Sequence, residues 1–346
     1  MSGMRRAWIA AALFLASCSE KKEDKSCCPP DEPAPVARGV SRSEGIVLTG
    51  LPESPELAAC DARGRWGLKA PLIEHSIVDS KDKAPYLPQE GHPKLTLYRD
   101  SLPFPQFNWK VGDWEVTQLL FPVGKGFVAR YHVMNHGEDA RTGKLLVGGA
   151  GAAIAADGKA PAERLEFELK GEPGVSQFFL VTTADLAGKV PEDALDQSTA
   201  RWEKLLGDRA VKLPDPAIVT EYYAALAGQK LGVAGCAEVL AKIDAMLVRK
   251  EEKALRLIAA VPEKWQLEAI EVVGMPTDFG PLSFRYQGAY NNRTFELKPG
   301  CAPPDGFLVT VPDKLFARVD GKTAPAKDGV IRVPAGSRFV EVSDPR

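Results

Sequence analysis

Three pairs of carboxylates, Glu166/Glu168, Asp113/Glu115 and Glu251/Glu252, stand close enough along the chain to be considered for acid–base work. Cleaving a glycosidic bond needs two carboxyls roughly 5–10 Å apart, one of them with a raised pKa. Nothing in the sequence singles out a pair, and each reads as a solvated face or turn, so no catalytic residue is assigned. His132 and His136 are four apart, but they fall on a strand and its turn and do not share a helical face. No metal site is expected there. "GGAGAA" and "VGKG" lack the Gly-Lys-Ser/Thr that completes a phosphate loop, and no Gly-x-Ser-x-Gly occurs. No cofactor is expected.

Aromatic side chains are the remaining lead. Sugar rings present apolar faces that lie on aromatic rings, while polar groups nearby take hydrogen bonds. Trp109 and Trp114 flank the turn "KVGD", and Tyr86 sits in a proline-rich loop; these three are the candidate carbohydrate contacts. The competing reading for all three is core packing or a domain contact. Trp265, Tyr286 and Tyr290 fall in the second β region, where core packing is expected.

The elements that must position these residues are mainly strands. In "GFVARYHVMNHG", Phe127, Ala129, Tyr131 and Val133 alternate with Val128, Arg130, His132 and Met134, and Asn-His-Gly supplies a turn. "LEFELK" puts Leu165, Phe167 and Leu169 on one face. From about 193 the period changes. Leu195, Thr199, Trp202 and Leu206 form a helical stripe, and Asp215-Pro216 caps a second helix with the stripe Val219, Tyr222, Tyr223 and Leu226. A third helix is expected from about Ala237 to Glu252, through Val239, Leu240, Ile243 and Leu247. Strands separated by turn signals return after Leu255. The expected fold is therefore mainly β: two antiparallel β-sandwich domains, 45–192 and 255–346, joined by two to three helices within 193–254.

With 346 residues, 45% hydrophobic and 26% charged, the chain has room for two ordinary cores. A net charge of -2 with scattered Lys and Arg gives no field to gather nucleic acid, which is not expected as a partner. Residues 1–17 read as a signal peptide: Arg5 and Arg6 precede "AWIAAALFL", which is too short to span a bilayer. The stretch Leu15-Ala16-Ser17-Cys18 resembles the lipobox of bacterial lipoproteins, which implies cleavage before Cys18 and acylation of that cysteine. The lipid bilayer is then a partner, and Ser19 in place of aspartate favours the outer membrane within the bacterial cell envelope. Residues 18–44, rich in charge and proline, read as a disordered tether. With Cys18 acylated, five thiols remain, an odd number for an oxidising compartment, and their pairing is open.

The order of elements carries a further resemblance. "LRLIAAVPEKW", "IEVVGMPTDFGPLSFRY", "PPDGFLVTVP" and "IRVPAGSRFVEV" fall in sequence and resemble the C-terminal β domain of bacterial six-hairpin glycosidases. "ARWEKLLGDRAVKLPDPAIVTEYYAAL" is similar to the linker of that family, and "DSLPFPQFNWKVGDWEVTQLLFPVGKGFVARYHVMNHGED" more loosely to its first sandwich. The family places its catalytic carboxylates in a ring of twelve helices. At ~11–12 residues per helix plus loops, that ring needs roughly 200 residues. Only 43 separate Pro214 from Leu257. The resemblance thus implies a glycosidase frame whose catalytic ring is largely missing, with "DAMLVRKEE" as its closing helix. The expectation is a non-catalytic surface lipoprotein that binds glycan or an envelope protein. The alternatives are a reduced hydrolase working at an interdomain cleft, or a structural protein with no sugar affinity.

Overall fold

The computed structural model describes residues 47–344, apart from positions 52, 53, 55, 69–71, 82, 83, 91, 92, 313 and 314. Cys18, Cys27, Cys28, the signal segment and the tether lie outside the described residues. The chain is mainly β, with several antiparallel sheets and three α-helices among the described residues. It divides into two compact units. The first runs to Leu205 and includes Tyr223–Cys236; the second comprises Leu206–Tyr222 and Ala237–Arg346.

In the first unit a seven-stranded sheet has Ser176–Thr183, Gly126–Asn135, Trp114–Val123 and Leu102–Val111 as its central neighbours. A four-stranded sheet orders Arg164–Gly171, Arg141–Gly148, Glu74–Asp79 and Pro85–Tyr86. Alternation works as the sequence indicates: Leu165, Phe167 and Leu169 are buried while Glu166, Glu168 and Lys170 are exposed, and Tyr131 and Val133 point inward. Two buried polar tips are tied within this core, Trp66 Nε1 donating to Tyr131 Oη (3.0 Å) and Trp114 Nε1 to Asp79 Oδ2 (2.9 Å). Helix α1 (Ala194–Leu206) buries Ala194, Ser198, Thr199 and Trp202. Trp202 Nε1 donates to Gly50 O (3.0 Å) and Ser198 Oγ to Pro122 O (2.6 Å), so its buried stripe is pinned at two points. Leu195 and Leu206, expected on that stripe, are half-buried. The inward face is rotated by about one residue towards the small side chains Ala194 and Ser198.

Helix α2 (Pro216–Lys230) starts as its sequence dictates. Asp215 Oδ1 accepts from the Ala217 amide at 2.9 Å, and Pro216 occupies the first position, where no amide is needed. The expected stripe is buried at Tyr222, Tyr223 and Leu226 and half-buried at Val219, and burial extends beyond it: Tyr222–Gly228 is buried at every position, as for a helix apolar on all sides. Asp215→Ala should cost about 1 kcal/mol, read as a lower urea midpoint with an unchanged denaturant slope.

Helix α3 (Cys236–Leu247) ends five residues before the expected Glu252. Its last carbonyls are taken by the chain beyond, Ile258 N donating to Leu247 O (2.7 Å) and Ala260 N to Met246 O (2.9 Å). Val248–Glu251 instead forms an antiparallel hairpin with Ala254–Leu257, with Arg249 opposite Arg256. The Glu251 carboxylate accepts from both arginines, at 2.6 and 2.9 Å from Arg256 and 2.8 Å from Arg249, which holds it down at about 2. That contribution is present above the ordinary carboxylate range and fades as pH falls towards 2. The segment read as a closing ring helix is therefore helix only to Leu247. Ala254–Leu257 goes on to pair in parallel with Phe307–Thr310, a departure from the antiparallel rule. The rest of the second unit is a seven-stranded antiparallel sheet, with Trp265, Tyr286 and Phe295 buried in its core. Between Leu213 and Val248 the described residues hold α2 and α3 and no ring of helices.

Candidate functional site

A strand that carries two successive phenylalanines must place one ring on each face of its sheet, because side chains alternate. In Ser176–Thr183, Phe179 points inward and meets Phe167 at 4.9 Å between centroids. Phe178 points outward and is 64% exposed. On the neighbouring strand His132 is its direct register partner, and the two rings stack at 4.7 Å with planes 14° apart. His132 Nε2 and Ser176 Oγ lie 2.7 Å apart, and Ser176 Oγ also reaches Met134 Sδ at 3.7 Å. The imidazole that supports the phenyl ring is thus held by a hydroxyl beside it. Leu180 (36% exposed) extends the apolar surface along the same strand, with Arg130 opposite it.

Leu180 also lines an open groove of about 510 Å³ with Asp157, Gly188, Lys189, Val190 and Pro191. The loop that forms it is fixed at Gly188, whose amide donates to Thr182 Oγ1 at 3.0 Å. Gly188 has φ +76°, and a Cβ there would lie 2.4 Å from the Ala156 carbonyl carbon, so no larger residue fits. Phe178, Leu180, Val190 and Pro191 supply apolar faces; His132, Ser176, Arg130, Asp157 and Lys189 supply polar groups around them. A preformed apolar floor with a few polar groups at its margin is what a small organic ligand or a sugar ring needs.

The aromatic residues chosen from sequence are elsewhere. Trp109 (1% exposed) and Trp114 (2% exposed) are closed to solvent and offer no ring face to a sugar in this arrangement. Trp109 belongs to Leu102–Val111, in which Phe107 and Trp109 face in and Gln106, Asn108 and Lys110 do not. Pro103 and Pro105 mask that alternation in the sequence. Both precede the stretch paired with Trp114–Val123, which starts at Gln106, so the missing amides cost no rung there. Trp114 is anchored through Asp79. Tyr86 is half-buried opposite Ile77 in a two-residue strand. Tyr290, assigned to the core of the second unit, is 83% exposed near a hairpin turn.

The carboxylate pairs are engaged as ions. Glu166 and Glu168 share Lys144, and Asp113 pairs with Arg141. Glu115 accepts from Lys110 at 2.7 Å and lies 2.5 Å from His136 Nε2, and these partners, Lys110 first, hold it below the usual carboxylate range. Glu251 is held lower still. The groove is lined by a single carboxylate, Asp157. Among the described residues no group of three or more His, Cys, Asp and Glu could hold a metal ion. Cys60, Cys236 and Cys301 are free and buried, and burial pushes all three thiols up, away from the nucleophilic thiolate.

No protein-family model matches the chain, and no curated protein sequence matches it either.

Proposed function

We propose that this protein is a surface lipoprotein of the bacterial cell envelope, anchored through acylated Cys18, that binds glycan without cleaving it. It has the frame of a six-hairpin glycosidase and lacks the catalytic ring. The observation that carries the reading is the Phe178 ring, exposed and stacked on His132, two residues along the strand from Leu180, which lines the groove. A pyranose would lie on the free face of Phe178, the one turned away from His132, and a longer chain would continue over Leu180 towards Asp157 and Lys189. The salt bridges that hold Glu166, Glu168, Asp113, Glu115 and Glu251 support binding without hydrolysis. The chain between the two β regions, residues 213–247, supports loss of the ring.

The test is a panel of envelope and plant polysaccharides against the purified protein and its Phe178→Ala variant. Wild-type protein should retain at least one glycan, and the variant should bind it about tenfold more weakly, the loss of one stacked anchor at about 1.4 kcal/mol. Retention unchanged by Phe178→Ala would move the site off this face. An empty panel with folded protein would favour a structural envelope protein.

A further inference from the structure

An edge strand with a free row of amides and carbonyls is a template for another strand, and native proteins blunt or cover such edges. Arg164–Gly171 is an edge of this kind. It ends the four-stranded sheet and pairs on one side only, with Arg141–Gly148, over eight residues without a bulge. It contains no proline, and its side chains alternate throughout: Leu165, Phe167 and Leu169 in, Arg164, Glu166, Glu168 and Lys170 out. The backbone alternates as well. Glu163 O accepts Gly149 N, and Thr142 O is turned the other way, to Ser80 N. The odd-numbered residues of the edge strand therefore bond to Arg141–Gly148, and the even-numbered ones direct their amides and carbonyls to the free side.

Two side chains from outside the strand occupy that free row. Gln177 Oε1 accepts the Lys170 amide at 3.0 Å. The Lys159 ammonium donates to the Glu166 carbonyl and lies 4.2 Å from the centroid of the Phe167 ring. Glu168 stands between the two caps. Glu172 N adds a third contact, donating to Lys170 O at 3.2 Å. These are the backbone groups that an added strand would take. Lys159 is exposed, so holding it here costs side-chain freedom that a surface lysine otherwise keeps.

We propose that the Arg164–Gly171 edge is a strand-pairing surface for a second copy of this chain, held closed by Lys159 and Gln177, with Glu168 at the two-fold axis of the pair. The outward charges select this partner and register. An antiparallel pair centred on Glu168 sets Lys170 opposite Glu166 of the second copy and brings Arg164 towards its Glu172, each twice by symmetry. Phe167 then stands beside Leu169 on the buried side, so the apolar face runs on across both copies. The two Glu168 side chains meet at the axis, each with Lys144 of its own chain 3.6 Å away. Centring on Phe167 instead would set Glu166 against Glu168 and Arg164 against Lys170, like charges in both rows. The surface is distinct from the Phe178 face and stands whether or not that face binds glycan.

The test is sedimentation velocity of the purified protein over a concentration series. Wild-type protein should remain monomeric, and Lys159→Ala/Gln177→Ala should pass to a dimer as concentration rises. Adding Glu168→Pro to that variant should return it to monomer. The Glu168 amide faces the free side, so the proline takes no rung from Arg141–Gly148 and separates edge pairing from misfolding. Adding Lys170→Glu instead sets like charges opposite each other twice and should weaken the dimer about tenfold. A double variant as monomeric as wild type would overturn the proposal. So would association that Glu168→Pro leaves in place, a dimer that Lys170→Glu does not weaken, or wild-type dimers that Glu168→Pro dissociates.

Discussion

Acidifying the protein from neutral to about pH 4 is expected to remove roughly 3 kcal/mol of stability through His75 alone. Burial lowers the His75 imidazole to about 3, against an ordinary value near 6.5. The unfolded chain therefore takes up the proton first. Stability is intact above about 6.5 and falls continuously as pH drops towards 3. The groups packed around the ring do not compensate. The Tyr131 hydroxyl is neutral and pushed further up by burial, as is the Cys60 thiol, and Arg65 is held charged by Asp61 and Glu74. Asp79, lowered by the Lys81 amide, Trp114 and Arg141 against the opposing effect of burial, and Glu251 lose their contributions only below about 4. Urea midpoints at a series of pH values should show the decline beginning above the carboxylate range. His75→Phe should flatten that upper part and leave the steeper fall at low pH. A wild-type curve level from neutral down to the carboxylate range would mean that the imidazole is hydrated and protonates freely.

Arg209→Ala should destabilise the second unit by about 3 kcal/mol. Arg209 lies just before the Ala210–Lys212 strand. Its Nη2 reaches both Asp244 oxygens on α3 (2.7 and 3.0 Å), and its Nε donates to Tyr222 Oη on α2 at 2.5 Å. One guanidinium thus ties a strand to two helices. Burial pushes the Asp244 carboxyl up, opposed by Arg209, so removing the arginine strands a carboxyl that is costly to ionise where it stands. The double variant Arg209→Ala/Asp244→Ala should lose less than the sum of the single losses, because the second change removes the stranded charge. Additive losses in chemical denaturation would show that the two side chains act independently.

The strands were legible because one buried face imposes a period of two. The face of Gly126–Asn135 that carries Tyr131 and Val133 and the Leu165/Phe167/Leu169 face could be read directly. Three features could not. The hairpin at 248–257 lies in a lysine- and glutamate-rich run with helical character, and only pairing with distant Phe307–Thr310 makes it a strand. Trp109 hid behind Pro103 and Pro105, whose missing amides matter only where a rung is needed. His75 and Asp79 face inward from "EHSIVD", and a reading that places polar residues outside inverts that strand. Phe178 was within reach: the adjacent Phe178-Phe179 in a strand oblige one ring to face outward, and an exposed aromatic is a better platform than a tryptophan near a turn.

The measurement that bears most directly on the central claim is a calorimetric titration of the purified protein with the glycan it retains best, followed by chromatography of the same solution. Saturable binding is expected, with an affinity about tenfold weaker in Phe178→Ala and restored by Phe178→Trp, and with the ligand recovered intact. New reducing ends in that solution, or equal affinity in all three proteins, would contradict it.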